Sequence, residues 1–241
     1  MNRRCQLVGR ARGAGVLMLA VLASTIHIHA AEVTAHVTLT VVDANKARLA
    51  HSNEGVVLWL TPVTNAPSGS AVDPSAHYQL IQKNKEFHPH LLVVPVGSTV
   101  EFPNLDPFFH NVFSFFNGRK FDLGLYESGT SRKVRFDREG VSYVFCNIHP
   151  EMSAVIVVVP TSHFAVSAPD GSVAIHGVEP GTYDVHLWAA GNSDKLTSAQ
   201  VHRANIDGNT DLGVFTIETH LSGPHKNKFG EDYPAPHPQQ Y

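Results

Sequence analysis

Sulfur-containing residues are scarce in this sequence. It has 2 cysteines and 3 methionines among 241 residues, and beyond residue 31 only Cys146 and Met152 remain. A lone cysteine cannot form an internal disulfide, which excludes a disulfide-stabilised scaffold. A free thiol in an oxidising compartment is reactive unless it is buried or binds a metal, so Cys146 is the first residue that calls for an explanation.

Charge of either sign and long apolar runs are also scarce. Charged residues make up 16% of the sequence, and the formal net charge is -3. This mild acidity argues against the basic surface that nucleic-acid binding requires, so we expect no nucleic-acid partner. The longest apolar run, residues 14–26, is too short for a comfortable membrane span, and we expect no span in the rest of the chain.

The N-terminal residues 1–31 have the three parts of a secretory signal peptide. Four arginines lie before the apolar run, and Ala30 and Ala31 offer a cleavage site. Loss of the four arginines moves the formal net charge from -3 to -7. The sequence therefore predicts an exported protein of the periplasm. The pair Arg3-Arg4 leaves the twin-arginine route open beside the general one.

The hydrophobic pattern is that of strands. Apolar residues alternate or run in short β-branched stretches between Gly, Pro, Asn and Asp turns, and no long helical pattern is present. This predicts an all-β protein, and short strands at such spacing are typical of β-sandwiches. The predicted strands cover residues 33–42, 56–62, 78–82, 91–94, 99–102, 110–115, 132–136, 141–145, 154–159, 172–175, 183–188, 198–204 and 213–217.

Two polar stretches of low complexity predict segment boundaries. Residues 65–70 contain Asn, Ala, Pro, Ser and Gly and are interpreted as a flexible link. Residues 221–241 contain Pro, Gly, Gln and His with few apolar side chains, which predicts a disordered tail. His225 and His237 in this tail are either weak metal ligands or solvated histidines.

Three potential metal ligands lie on one short stretch. Cys146, His149 and Met152 form the pattern C-x2-H-x2-M. Thiolate, imidazole and thioether are the soft and borderline ligands that copper selects, and blue-copper sites combine two histidines, one cysteine and a weak axial methionine. His110 is the upstream candidate for the second histidine. The sequence therefore predicts a mononuclear copper site with His110, Cys146, His149 and Met152 as ligands.

Alternatives stay open at this site. Cys146 could instead be an inert buried thiol, as a lone cysteine often is. Glu151, which lies between the predicted histidine and methionine ligands, could compete for the axial position. His88 and His90 alternate on one predicted strand and so share a face, where they could form a second metal site or be solvated.

Residues 76–160 resemble the cupredoxin family, the group of plastocyanin and amicyanin. The resemblance is carried by F-H-P at 87–89, V-P-V-G-S-T-V-E-F at 94–102, F-H-N-V at 109–112 and G-V-S-Y-V-F-C at 140–146. The ligand loop is most similar in length to that of amicyanin. The resemblance implies a Greek-key β-sandwich with one blue copper, in which Cys146 is the thiolate ligand and Asn111 ties the two ligand segments together.

The segments on both sides resemble a second family. The Asp170-Gly171 turn and the P-G-T-Y of residues 180–183 are similar to carboxypeptidase regulatory-like sandwiches, also called transthyretin-like, which have a carbohydrate-binding-like fold. We therefore expect residues 32–65 and 161–220 to form one small β-sandwich. The copper domain, 76–160, would be inserted in it, since insertion at a loop is tolerated when domain termini lie close together.

Residues 33–218 as a whole also resemble exported bacterial proteins of the methylamine-utilization type, although no residue specifies methylamine. The combined expectation is a periplasmic protein that cycles one copper ion between Cu(II) and Cu(I) and passes single electrons between periplasmic redox proteins. No catalytic residue is predicted. A copper-delivery module is one alternative, although delivery sites are usually open and rich in Met or His. A copper enzyme is another, and it would need a second copper site or copper open to substrate.

Overall fold

The computed structural model describes residues 30–43, 46–63, 75–115, 118–191, 196, 199–220 and 225–233. Regular structure in these ranges is β-strand, which confirms the predicted all-β class. None of the described residues belongs to a helix long and apolar enough to span a membrane. Most of the predicted signal peptide, the predicted link at 65–70 and His237 lie outside the described residues.

The strands fall into two groups according to their pairing. The flanking group comprises β1 (Ala31–Asp43), β2 (Lys46–Leu49), β3 (Val56–Pro62), β14 (Phe164–Val166), β15 (Ser172–Val178), β16 (Gly181–Ala189), β17 (Gln200–Ile206) and β18 (Thr210–His220). The central group comprises β4 (Tyr78–Gln79), β5 (Ile81–Lys83), β6 (Glu86–His88), β7 (Leu91–Pro95), β8 (Thr99–Pro103), β9 (His110–Ser114), β10 (Phe121–Tyr126), β11 (Ser131–Arg135), β12 (Gly140–Phe145) and β13 (Ser153–Val159). Within the described ranges, no sheet mixes strands of the two groups.

Four sheets form successive layers. The first layer is β15-β1-β18 with β2 paired to β1, and the second is β14-β3-β16-β17. The third layer is β10-β9-β12-β13-β7, and the fourth is β11-β8-β4. Each adjacent pair of layers encloses one cluster of buried apolar side chains. The described residues therefore enclose three apolar interiors, and the central strands of the two middle layers are buried on both faces.

The two middle layers explain two continuous hydrophobic runs of the sequence. In β3, Leu58 belongs to the first interior and Trp59 to the second. In β13, Ile156 belongs to the third interior and Val157 to the second. A strand buried on both faces requires apolar residues at successive positions, so the runs V-V-L-W-L and A-V-I-V-V-V show no polar alternation.

The chain leaves and re-enters the second layer at neighbouring positions. It leaves after β3, and β14, which follows the central strands, pairs back onto β3 with Phe164 opposite Trp59. The backbone NH of Leu60 also donates to the carbonyl of His163 at 2.9 Å. The central strands thus form a long excursion between two adjacent points of the flanking group.

The interior between the second and third layers joins the two strand groups. Trp188 of β16 is fully buried in one cluster with Val157 of β13. On the same face, the rings of Trp59 and His186 stack with their centroids 4.9 Å apart. Because this interior is apolar and shared, it holds the third layer, which carries the predicted ligands, against the flanking strands.

Several stretches differ from the expectations drawn from sequence. The short strands β2, β6 and β14 have no counterpart among the predicted strands. No strand is predicted between residues 115 and 132 either, yet β10 pairs with β9 there, with a register shift between Asp122 and Leu125. Such a bulge breaks the alternation by which strands are recognised. The predicted disordered tail also differs, since residues 225–233 make hydrogen bonds to the loop that follows β12. The composition of a segment does not show whether another part of the chain offers partners for its hydrogen bonds.

Trp188→Ala is expected to destabilise the protein by about 3–5 kcal/mol, because it opens a cavity in the interior that both strand groups share. Urea unfolding followed by far-ultraviolet circular dichroism measures the loss. Val214→Ala is the control: Val214 is 69% exposed, and its truncation should change the free energy of unfolding by about 0.5 kcal/mol or less. A Trp188 variant as stable as the control would contradict the shared interior.

Candidate metal centre

Three of the predicted ligands come together at one end of the third layer. His110 is the first residue of β9, and Cys146 follows directly after Phe145, the last residue of β12. These two strands are neighbours, with Phe113 opposite Phe145. His149 lies in the loop that joins β12 to β13. The start of one strand and the end of the next therefore place a distant histidine beside two local ligands.

The ligand atoms of these residues form a compact, buried triangle. Nδ1 of His110 and Nδ1 of His149 are 3.1 Å apart, and Sγ of Cys146 lies 3.8 Å from the first and 3.6 Å from the second. None of the three residues is more than 4% exposed. Donor atoms about 2.0–2.3 Å from one ion are about 3–4 Å from one another, so the triangle fits a single metal ion. The donor set suits copper or zinc.

Burial governs the protonation of the thiol. Loss of hydration raises the pKa of Cys146, while the backbone NH groups of Asn111, Ile148 and His149 act in the opposite direction. In the metal-free protein the thiol is therefore protonated at neutral pH. The same NH groups face the sulfur and would stabilise a thiolate once a cation compensates for the lost hydration.

Burial also keeps both histidines neutral. It lowers the pKa of His110, against the raising effect of the Asp106 carboxylate. It lowers the pKa of His149 as well, and the neighbouring His110 adds to that effect. A metal binds the neutral imidazole, so burial prepares both rings for coordination without competition from protons.

Asp106 orients His110, a role that the sequence-based assignment missed. Nε2–H of His110 donates to Oδ2 of Asp106 at 2.8 Å. Although burial raises the pKa of Asp106, hydrogen bonds from Lys85, His110 and Asn84 bring it below its ordinary value, so this carboxylate is an acceptor. With the proton of His110 on Nε2, the lone pair of Nδ1 faces the triangle. A carboxylate behind a histidine is a common support of metal ligands.

The same carboxylate also holds the turn between β5 and β6. The backbone NH groups of Asn84 and Lys85 donate to Asp106 at 2.6 and 2.9 Å. Both turn residues have positive φ, 57° and 59°, as a two-residue hairpin turn of type I′ requires. The spacing Asp-x3-His was visible in the sequence, but the turn that completes this arrangement is distant in sequence and was not predictable from it.

Met152 and Glu151 lie in different environments. Backbone hydrogen bonds close the ligand loop, from the NH of Cys146 to the carbonyl of Met152 at 3.2 Å and from the NH of Met152 to the carbonyl of His149 at 3.1 Å. The Met152 side chain is fully buried in the same apolar cluster as Cys146. Glu151 is exposed. Of the two predicted alternatives for the axial position, the structure thus buries the thioether with the thiol.

Asn111 differs from the role that the resemblance implies. Its side-chain amide donates to Oδ1 of Asp122 in β10 at 2.7 Å. The contact with the cysteine segment is made by the backbone NH of Asn111, which faces the Cys146 sulfur. The two ligand segments are thus joined through the main chain, while the side chain joins β9 to β10.

The other predicted histidine pair does not form a comparable cluster. The rings of His88 and His90 have centroids 5.8 Å apart, and His90 is exposed. In the described part of the chain, His110, Cys146 and His149 are the one group of at least three His, Cys, Asp or Glu residues with metal-ligand spacing.

Comparisons with known proteins give matches among solved structures. No protein-family model and no curated protein matches the chain. A copper-containing nitrite reductase from Thermus scotoductus SA-01 is 27% identical over 41% of this chain and 25% of its own, with a TM-score of 0.34. A purple cupredoxin from Nitrosopumilus maritimus is 28% identical over 34% of this chain and 99% of its own, with a TM-score of 0.31.

A reduced variant of amicyanin is similar to the same extent. It is 22% identical over 42% of this chain and 98% of its own, with a TM-score of 0.33. The chain thus spans a quarter of the nitrite reductase that it matches and nearly all of each small cupredoxin. These similarities cover less than half of the chain.

Cu(II) binding at neutral pH is expected to release about one proton per protein, because the buried thiol of Cys146 must become a thiolate while both histidines are already neutral. Affinity should accordingly rise with pH in the range where the thiol is protonated. Calorimetric titration in two buffers of different ionisation enthalpy measures the release. Heats that do not differ between the buffers would exclude the predicted thiolate ligand.

Asp106→Asn is expected to weaken Cu(II) binding about 10-fold, because an amide cannot accept from His110 and from both turn NH groups as the carboxylate does. Competition with a chelator of known affinity measures the change. Asp137→Asn, at an exposed position, is the matched control and should bind as the wild type does. Equal affinities in the two variants would show that Asp106 does not support His110.

Proposed function

We propose that this protein is an exported, mononuclear copper protein of the cupredoxin type that carries single electrons between periplasmic redox partners. The observation that carries the proposal is the buried triangle of His110, Cys146 and His149. Two imidazoles and one thiolate, with a buried thioether on the same loop, are the donor set of blue-copper sites.

The ligands supply what such a centre requires. Copper held there would supply one-electron chemistry by alternating between Cu(II) and Cu(I). His110 and His149 would bind through Nδ1, Cys146 as the thiolate, and Met152 as the weak fourth donor. Their burial excludes water, and the packed sheet below them resists rearrangement when the charge at the site changes. A site that moves little during reduction exchanges electrons quickly.

Burial of the site favours electron transfer over copper delivery. A delivery site must release its metal to a partner, whereas each residue of this triangle is at most 4% exposed. This burial supports a carrier whose metal stays in place while electrons pass.

We also propose that residues 76–160 are a cupredoxin unit inserted in a carboxypeptidase regulatory-like sandwich of residues 32–65 and 161–220. The separate pairing of the two strand groups supports this division, as does the adjacency of β3 and β14. The shared interior around Trp188 gives the sandwich a role, because it holds the copper-bearing sheet from behind.

The proposal is tested by visible absorption of the purified protein titrated with Cu(II). An intense thiolate-to-copper band that saturates at one equivalent, bleaches with ascorbate and returns with a mild oxidant is expected. Cys146→Ser should abolish the band, because serine supplies no thiolate. Copper that binds at one equivalent without this band would exclude Cys146 as ligand and replace the carrier proposal with copper handling.

A further inference from the structure

A short C-terminal segment lies across the ligand loop. Residues 225–233, named here the strap, follow the flanking strands in sequence but contact the central group. Their hydrogen bonds go to Cys146, Asn147 and Pro150, and their stacking contact goes to Phe145. The strap therefore binds the stretch of chain that contains two of the three residues of the triangle.

Tyr233 holds the beginning of the loop. Its hydroxyl donates to the carbonyl oxygen of Cys146 at 2.7 Å. The NH of Cys146 is already bonded to the carbonyl of Met152, so both backbone polar groups of the predicted thiolate ligand have partners. Tyr233 also packs edge-on against His225, with ring centroids 5.3 Å apart.

His225 holds the other end of the C-x2-H segment. Its Nε2–H donates to the carbonyl oxygen of Pro150 at 2.7 Å, and a carbonyl can only accept, which assigns the proton to Nε2. Its ring stacks on Phe145 with centroids 4.1 Å apart and an angle of 29° between the planes. One side chain thus contacts the residue before Cys146 and the residue after His149.

Lys228 connects the strap with both ligand segments. Its backbone NH donates to Oδ1 of Asn147 at 3.0 Å, and its Nζ lies 2.9 Å from Oδ2 of Asp122. Asp122 in turn accepts from the side chain of Asn111, the residue after His110. The strap is therefore bonded to the cysteine segment directly and to the first histidine segment through one carboxylate.

We propose that the strap is a built-in support of the metal centre, with Tyr233 and His225 as positioning residues that keep the loop from Cys146 to Pro150 closed. This inference rests on metal binding at the triangle. Without the strap, the carbonyls of residues 146 and 150 would be solvated and the loop could open toward water. The Tyr233 hydrogen bond also withdraws electron density from the main chain of the thiolate ligand, which favours Cu(I) over Cu(II).

The test compares Tyr233→Phe and His225→Ala with Tyr183→Phe in the full chain. Tyr183 is a matched control, because its hydroxyl also donates to a backbone carbonyl, that of Glu179 at 2.8 Å, in the flanking group. For Tyr233→Phe we expect release of Cu(II) to a chelator about 10-fold faster than in wild type, and a lower reduction potential. A merely structural hydrogen bond would leave the potential unchanged. His225→Ala should also speed release.

A second measurement needs no copper. Amide hydrogen exchange of residues 146–152 and the rate at which the Cys146 thiol reacts with Ellman's reagent should both rise in Tyr233→Phe and His225→Ala and stay at wild-type values in Tyr183→Phe. Wild-type exchange, thiol reactivity, copper release and potential in both strap variants would overturn the proposal. A wild-type protein that binds no Cu(II) would overturn the proposed function and, with it, the role of the strap at a metal centre; the metal-free measurements would then show separately whether the strap keeps the loop closed.

Discussion

Burial of β13 on both faces fixes the position of the third layer, and the candidate site follows from it. In β13, neighbouring residues such as Ile156 and Val157 enter different interiors, so the strand cannot slide or twist without opening one of them. β12 pairs with β13 along its full length, and the loop between these strands carries Cys146 and His149. The rigidity of the site is therefore a property of the packing behind it.

Hydrogen bonds from groups outside the triangle also fix the positions of the predicted ligands. Asp106 joins His110 to the β5–β6 turn, and the strap joins the Cys146 loop to Asp122. The bonds of Asp106 and the strap's bonds to Asn147 and Cys146 are buried or partly buried. A buried hydrogen bond is costly to leave unmade, so these contacts favour one position of the bonded groups. The turn supports His110, the C-terminal segment supports the Cys146 loop, and the flanking strands pack against the sheet that carries both.

Features that depend on a local sequence pattern were predictable from the sequence. The all-β class and most strands follow from short β-branched runs, and the clustering of His110, Cys146 and His149 follows from the C-x2-H-x2-M motif with one upstream histidine. The sequence did not predict β10, because the bulge between Asp122 and Leu125 hides its alternation. Nor did it predict the ordered residues 225–233, since a few specific contacts outweigh a composition typical of disorder.

Residue type alone gives the available donor groups: beyond residue 31 the chain has one thiol and one thioether, and two histidines lie at suitable positions. Which groups support those donors follows from the folded arrangement. Asp106 behind His110, the backbone NH of Asn111 facing the sulfur, and Tyr233 on the Cys146 carbonyl all depend on contacts between distant segments. Candidate ligands can be identified from residue type and local spacing. Their orientation and burial come from packing between distant segments, which a local sequence pattern cannot predict.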